Sequence, residues 1–121
     1  MHQDPTNQGN QMGQVEIQQC IQDCLTCHTV CLQTATNCQQ AGGSHASHEH
    51  ISLLQDCAKL CQTAAQFMQH NSPFYGYVTQ ACAQVATRCA NECEQMGDTD
   101  CANACHNAAW SCDQVTKMVN F

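Results

Sequence analysis

Cys20-Ile21-Gln22-Asp23-Cys24-Leu25-Thr26-Cys27-His28-Thr29-Val30-Cys31 spaces its cysteines four, three and four residues apart, and Cys38 follows seven later. Steps of three, four and seven bring a side chain back to the same face of an α-helix. A strand would need steps of two. The pattern recurs along the chain. Cys57 and Cys61 are four apart. Cys82, Cys89 and Cys93 are separated by seven and four, and Cys101, Cys105 and Cys112 by four and seven. All thirteen cysteines therefore fall on the stripes where a helical protein puts its core.

Around these stripes the punctuation reads as four helices. The first residues, 1–13, are rich in Gln, Asn and Gly and read as a disordered polar tail. A first helix is expected from about Gln14 to Gln40, stopped by Gly42-Gly43. Ser47 is a plausible N-cap for a second, from about His48 to His70. Asn71-Ser72-Pro73 breaks it, with Ser72 as N-cap and Pro73 at the first position of a third, which ends at Gly97. Asp98 or Thr99 caps a fourth, from about Asp100 to Met118. No stretch reads as a strand. The expected fold is all-α: an up-down-up-down antiparallel four-helix bundle over residues 14–121, its core lined with cysteine.

The helices look like degenerate repeats of one pattern. Ala86 and Ala108 or Ala109 occupy slots where the same spacing would put a thiol, and Ala64 follows Cys61 on the second helix.

Thirteen cysteines in 121 residues exceed ordinary usage. Buried thiols can serve as small hydrophobes, but Ala or Leu would do so without the redox liability. A disulfide scaffold is disfavoured. The count is odd, and cysteines on one helix face aim their Cβ atoms in parallel. Secreted frameworks also favour loop-rich sequences. Metal binding is the remaining use.

Only Lys59, Arg88 and Lys117 are basic, and the formal charge is −7. That argues against a nucleic-acid partner. No stretch approaches the ~18 apolar residues of a membrane span. The N-terminus lacks an apolar signal core. These features point to a cytoplasmic protein kept reduced, or to an exported one whose signal peptide has been removed. No acid–base pair or singled-out nucleophile stands out, so the chain is not expected to be an enzyme.

The expected ligands are Cys20, Cys24, Cys27, Cys31, Cys38, Cys57, Cys61, Cys82, Cys89, Cys93, Cys101, Cys105 and Cys112, with His50 and Met96. His50 lies seven before Cys57, and Met96 three after Cys93. Cys, Met and His are soft to borderline donors, which disfavours Ca²⁺ and Mg²⁺. Zinc sites and iron–sulfur clusters draw on C-x2-C knuckles in turns and loops. Here five C-x3-C pairs lie within helices: Cys20/Cys24, Cys27/Cys31, Cys57/Cys61, Cys89/Cys93 and Cys101/Cys105. Two thiols one turn apart suit Cu(I), which accepts two thiolates. If each thiolate bridges two ions, the core becomes neutral and avoids the penalty of buried unpaired charge. The loading would then approach the cysteine count, about ten to thirteen Cu(I) ions per chain. A zinc or general heavy-metal buffer and an iron–sulfur electron-transfer protein are the alternatives.

The segments Cys20 to Leu32, Asp56-Cys57-Ala58-Lys59-Leu60-Cys61, Cys89-Ala90-Asn91-Glu92-Cys93 and Cys101-Ala102-Asn103-Ala104-Cys105 resemble the bacterial copper storage proteins, Cys-rich four-helix bundles that bind copper. The resemblance covers essentially the whole helical region, and the local wording is closer to the cytosolic branch than to the exported one. It implies a homotetramer of bundles, each holding many Cu(I) ions, and allows a copper chaperone as partner. Ala86 and Ala108 stand where richer members place cysteines, which implies a smaller load.

In such a bundle Cys38, His45, His48, His50, Cys93, Met96 and Cys101 gather at one end, a mouth for copper. Cys20, Phe67, Met68, Phe74, Tyr75 and Phe121 gather at the other and read as an aromatic plug. His28 and His106 flank the stripe, and His2 and His70 read as solvated. Ile17, Ile21, Leu25, Leu32 and Trp110 suggest contacts between bundles, or flanking core.

Overall fold

The computed structural model describes the backbone over residues 5–119 and side chains over 13–119. Four α-helices account for almost all of it: α1 (Pro5–Ala41), α2 (His48–Gln69), α3 (Tyr75–Met96) and α4 (Thr99–Lys117). A 3-10 turn, Gly43–Ala46, lies between α1 and α2. Each helix packs on its neighbours in sequence, and α4 returns against α1 to close the ring. The up-down-up-down bundle expected from the sequence is the observed fold. Among the described residues no helix is long and apolar enough to cross a membrane.

Two helix starts differ from the sequence reading. α1 begins at Pro5, not Gln14, so part of the stretch read as a disordered tail is helical. Proline fits the first helical turn, and a formed helix propagates through Gln and Asn at little cost. Near its start Gly13 lies against Met118: a Cβ added there would stand 3.3 Å from the Met118 methyl. The remainder of that tail, residues 1–4 and with them His2, lies outside the described residues, as does Phe121.

α3 begins at Tyr75, with Phe74 in the capping position, rather than at Pro73. Ser72 does not cap the helix. Its hydroxyl accepts from the Phe74 N–H at 3.1 Å and closes a local turn. Asn71 sits in the left-handed region (φ 54°) where α2 ends.

Three boundaries form as read. The Ser47 hydroxyl caps α2 by accepting from the His50 N–H at 3.2 Å. Gly42, at φ 76°, follows the end of α1. Gly97, at φ 80°, ends α3 in a paired motif: its N–H donates to the Glu94 carbonyl at 3.1 Å, and the Asp98 N–H to the Cys93 carbonyl at 2.8 Å.

Every cysteine is free and buried. Large aliphatic residues are few between the helices: Ile21, Ile51, Leu54, Met68 and Val115 are buried. Alanine supplies most of the rest, including Ala58, Ala64, Ala86, Ala90 and Ala108. Small side chains let helix backbones approach, and that approach brings sulfur atoms on facing helices into contact.

Candidate metal centre

The thiols form a ladder along the bundle axis. At one end Cys20, Cys24 and Cys112 make a triangle with Sγ separations of 4.0, 3.6 and 3.4 Å. Cys24 is shared with a second group, completed by Cys61 and Cys82, whose sulfurs are 3.5 Å apart. Cys61 also interacts with Cys27 and Cys57, which carries the ladder upward. Cys27, Cys31, Cys57 and Cys105 form a four-thiol group. Cys105 lies 3.6 Å from Cys27, 3.6 Å from Cys31 and 4.0 Å from Cys57. Cys31 and Cys105 belong as well to the next group, with Cys89 and Cys101. Cys93 then interacts with Cys89 and Cys101. Twelve of the expected cysteine ligands thus lie in one continuous column drawn from all four helices.

Mutual hydrogen bonding shifts these thiols in opposite directions, while burial pushes all of them up. Cys20 is lowered to about 5, chiefly by hydrogen bonding to Cys112 and then to Cys24. Cys27 is lowered to about 6 by Cys105 and then Cys31. Cys57 and Cys101 are lowered, each first by Cys105, and Cys82 first by Cys112. Cys24 is raised, first by Cys112, and Cys105 first by Cys101. Part of the column is thereby pushed toward the thiolate, the form that binds metal.

The thirteenth cysteine stands apart. Cys38 is 3.6 Å from a carboxylate oxygen of Asp98. The same oxygen lies 3.6 Å from His50 Nε2. The other ring nitrogen of His50, Nδ1, meets the Glu92 carboxylate at 2.7 Å. Burial, and then the charge of Asp98, push the Cys38 thiol up to about 11. Asp98 occupies the N-cap position of α4 but makes no capping bond, since its carboxylate turns toward Cys38 and His50.

His45 sits at the same end, its Nε2–H donating to the Met96 carbonyl at 3.1 Å, its ring edge-on to His50 with centroids 6.5 Å apart. Met96 is half-buried at the last residue of α3. His48 is exposed. His28 donates from Nδ1 to the Ala58 carbonyl at 2.8 Å and ties α1 to α2. His106 pairs with Glu94 on the surface, and His70 is exposed.

At the opposite end Tyr75 packs against the core and Met68 is buried, as expected, while Phe121 lies outside the described residues. Phe74 is exposed, and Phe67 and Tyr75 are half-buried. Met68, Val115 and Thr79 close that end, with the Thr79 and Thr116 hydroxyls 2.8 Å apart. Phe74 lies outside the seal because α3 starts after it.

Sequence reasoning missed Asp98 and Glu92 as neighbours of Cys38 and His50. Glu92 immediately precedes Cys93, so it borders the stripe. Asp98 gave no periodic signal, since it lies in the turn between α3 and α4.

Residues 13–117, which include every cysteine, match the sequence model of the family described as copper storage protein. An uncharacterised cysteine-rich protein of Bacillus subtilis (strain 168), YhjQ, is 32% identical over 100 residues, covering 83% of this chain and 92% of that one. Among solved structures, a protein from Nitrosospira multiformis superimposes with a TM-score of 0.84 at 36% identity, over 87% of this chain and 98% of that one. A Cu(I)-bound copper storage protein superimposes with a TM-score of 0.78 at 29% identity, over 84% and 98%. With the matched segment running from the start of the cysteine column to the end of α4, the chain belongs to the copper storage protein family.

Proposed function

We propose that this chain stores Cu(I) inside its bundle and that binding is its whole function, with no catalysis. The observation that carries the reading is the continuous thiol column. Neighbouring sulfurs stand 3.4–4.0 Å apart within and between helices, so each thiol has more than one partner with which to share an ion. A Cu–S bond of about 2.2–2.3 Å, close to that of zinc thiolate, lets one ion join two such sulfurs with small side-chain shifts. The Cu(I)-bound state of a structural neighbour supports the choice of metal.

Charge sets the proposed capacity. The twelve column thiolates would be neutralised by as many monovalent ions, within the range of about ten to thirteen Cu(I) per chain expected from the cysteine count. An anaerobic titration of the reduced protein against a chromogenic Cu(I) chelator tests this. A plateau in that range supports bridged storage, and saturation near half the cysteine count or below removes it.

One arrangement favours a second reading. Cys27, Cys31, Cys57 and Cys105 hold four sulfurs within 4.8 Å of one another, a set that could take Zn²⁺ tetrahedrally. Competition between Zn²⁺ and Cu(I) for the reduced protein separates a copper store from a general heavy-metal buffer.

The proposal extends to the protein's setting. Thirteen free thiols suit a reducing compartment such as the cytoplasm, and a Cu(I) chaperone is the kind of donor such a store requires. Assembly into a tetramer is consistent with Trp110, 66% exposed, and Val15, 71% exposed, which line one shallow groove. Sedimentation of the wild type against Trp110→Glu tests that contact.

A further inference from the structure

We propose that Cys38, His50 and Asp98 form a separate site for one divalent transition-metal ion of the Zn²⁺ class, set at the mouth of the bundle above the thiol column. The three ligand atoms lie within 4.8 Å of one another. They come from the end of α1, the start of α2 and the turn between α3 and α4.

The first observation is the state of His50. It is 1% exposed, and its Nε2 has no hydrogen-bond partner. A buried polar atom without a partner is costly and calls for a reason. Nδ1–H donates a hydrogen bond to the Glu92 carboxylate at 2.7 Å. That bond fixes the tautomer in which Nε2 carries the lone pair, and it aims the lone pair at Cys38 and Asp98. A carboxylate behind a histidine is the usual support of a metal-bound imidazole.

The second is spacing. Asp98 stands 3.6 Å from both Cys38 Sγ and His50 Nε2. Ordinary zinc bond lengths in a tetrahedron place neighbouring ligand atoms roughly 3.3–3.6 Å apart. An imidazolium donating to Asp98 would sit nearer, at roughly 2.7–2.9 Å. Two ligands of one ion account for the His50–Asp98 separation better than an ion pair does, and the Cys38 thiol, which donates to the same oxygen, would lose that proton when the ion binds.

The third is the backbone. Asp98 holds the N-cap position yet caps nothing. The turn at Gly97 pins its N–H to Cys93, and the Ser47 cap pins the N–H of His50. Both ligands are thus held before any ion arrives.

Charge and donor type choose the metal. A thiolate, a carboxylate and a neutral imidazole sum to −2, which a divalent ion cancels and Cu(I) does not. Carboxylate oxygen also suits a borderline divalent ion better than soft Cu(I). Asp98 is 24% exposed, so the fourth coordination position faces the outside and is free for water.

Co²⁺, a spectroscopic stand-in for Zn²⁺, provides the test. The full-length reduced protein is loaded with Cu(I) to just below its measured capacity, which occupies the column, and is then titrated with Co²⁺ without oxygen. The expected result is one equivalent bound, with the visible bands of a tetrahedral ion and charge transfer from a single thiolate, all abolished by Zn²⁺. His50→Gln and Asp98→Asn should each weaken Co²⁺ at least tenfold with the helical circular dichroism retained. Glu92→Gln should weaken it about 10–100-fold through the ring it orients. No Co²⁺ uptake overturns the proposal, and so does uptake of equal affinity in His50→Gln, which would place the ion among the column thiols. Should the protein hold no Cu(I) at all, the same variants are compared on the reduced apoprotein. Dependence on His50 there supports the mouth site even as the storage reading fails, and its absence overturns the site.

Discussion

Cys105→Ala is the substitution that most directly tests whether the thiols act as one continuous, shared column. Cys105 is fully buried and touches four other thiols: Cys27 and Cys31 at 3.6 Å, Cys57 and Cys101 at 4.0 Å. In a neutral bridged column it shares two ions, but neutrality requires losing only one when one thiolate goes. The other ion has somewhere to move. Cys27 and Cys31 are 3.8 Å apart, Cys27 and Cys57 3.9 Å, and Cys31 and Cys101 3.8 Å. The variant should therefore bind about one Cu(I) fewer than the wild type, while the sulfur removed costs the apoprotein only about 1 kcal/mol. The assay is the anaerobic chelator titration run on both proteins, with native mass spectrometry counting ions. An unchanged plateau would show spare thiols and refute bridging. A loss of four or more would show a discrete cluster that fails as a unit, and would refute the continuous column.

Other expectations follow from the same geometry. Leu54→Ala, at a fully buried position, should cost about 2–5 kcal/mol in chemical denaturation of the apoprotein, without changing the copper plateau. Circular dichroism of the reduced, metal-free protein should show the full helical content, because the helices do not draw on metal for their hydrogen bonds; a random-coil spectrum would contradict this. Alkali should destabilise the apoprotein. Cys38 keeps its proton in the fold up to about 11, whereas an unfolded thiol loses it near 9.0. Between those values the unfolded state binds fewer protons, so stability falls as pH rises, by up to about 1.4 kcal/mol per unit for this thiol. Thermal melts across that range should fall less steeply in Cys38→Ser; parallel slopes would remove Cys38 as a cause.

The fold and the column were legible because they are periodic. Spacings of three, four and seven name a helix face regardless of context, and four such faces have few ways to meet. What escaped was aperiodic. The sequence placed Ser72 and Pro73 at the head of α3, where local turn chemistry won and the helix waited until Tyr75. Gln and Asn before Gln14 read as disorder by composition, yet α1 runs back to Pro5. Asp98 read as a helix cap, a role its position allows and its carboxylate declines. His50 was legible as a candidate ligand because it lies in register with Cys57; Glu92 was not legible as its partner, because that pairing depends on which residue faces it from α2.

The distribution of apolar volume explains why a column of thiols can coexist with a folded apoprotein. A bundle of this length usually fills its axis with leucine and isoleucine. Here the axis carries sulfur, and the few large aliphatic residues stand beside it: Leu54 and Ile51 on α2, Ile21 on α1, Val115 on α4. Alanine fills the remaining contacts and holds the helices close. The thiols interact with one another through hydrogen bonds that ions can replace one at a time, with no helix having to move far. The same closeness shuts the flanks, since column residues such as Cys27, Cys61 and Cys105 are fully buried. Ions must then pass along the axis, and Met68, Thr79 and Val115 close one end. What remains is the end where Asp98 is partly exposed and a surface hollow reaches Cys101. Control over filling and emptying would then fall to the few residues there, and they differ in chemistry from the column.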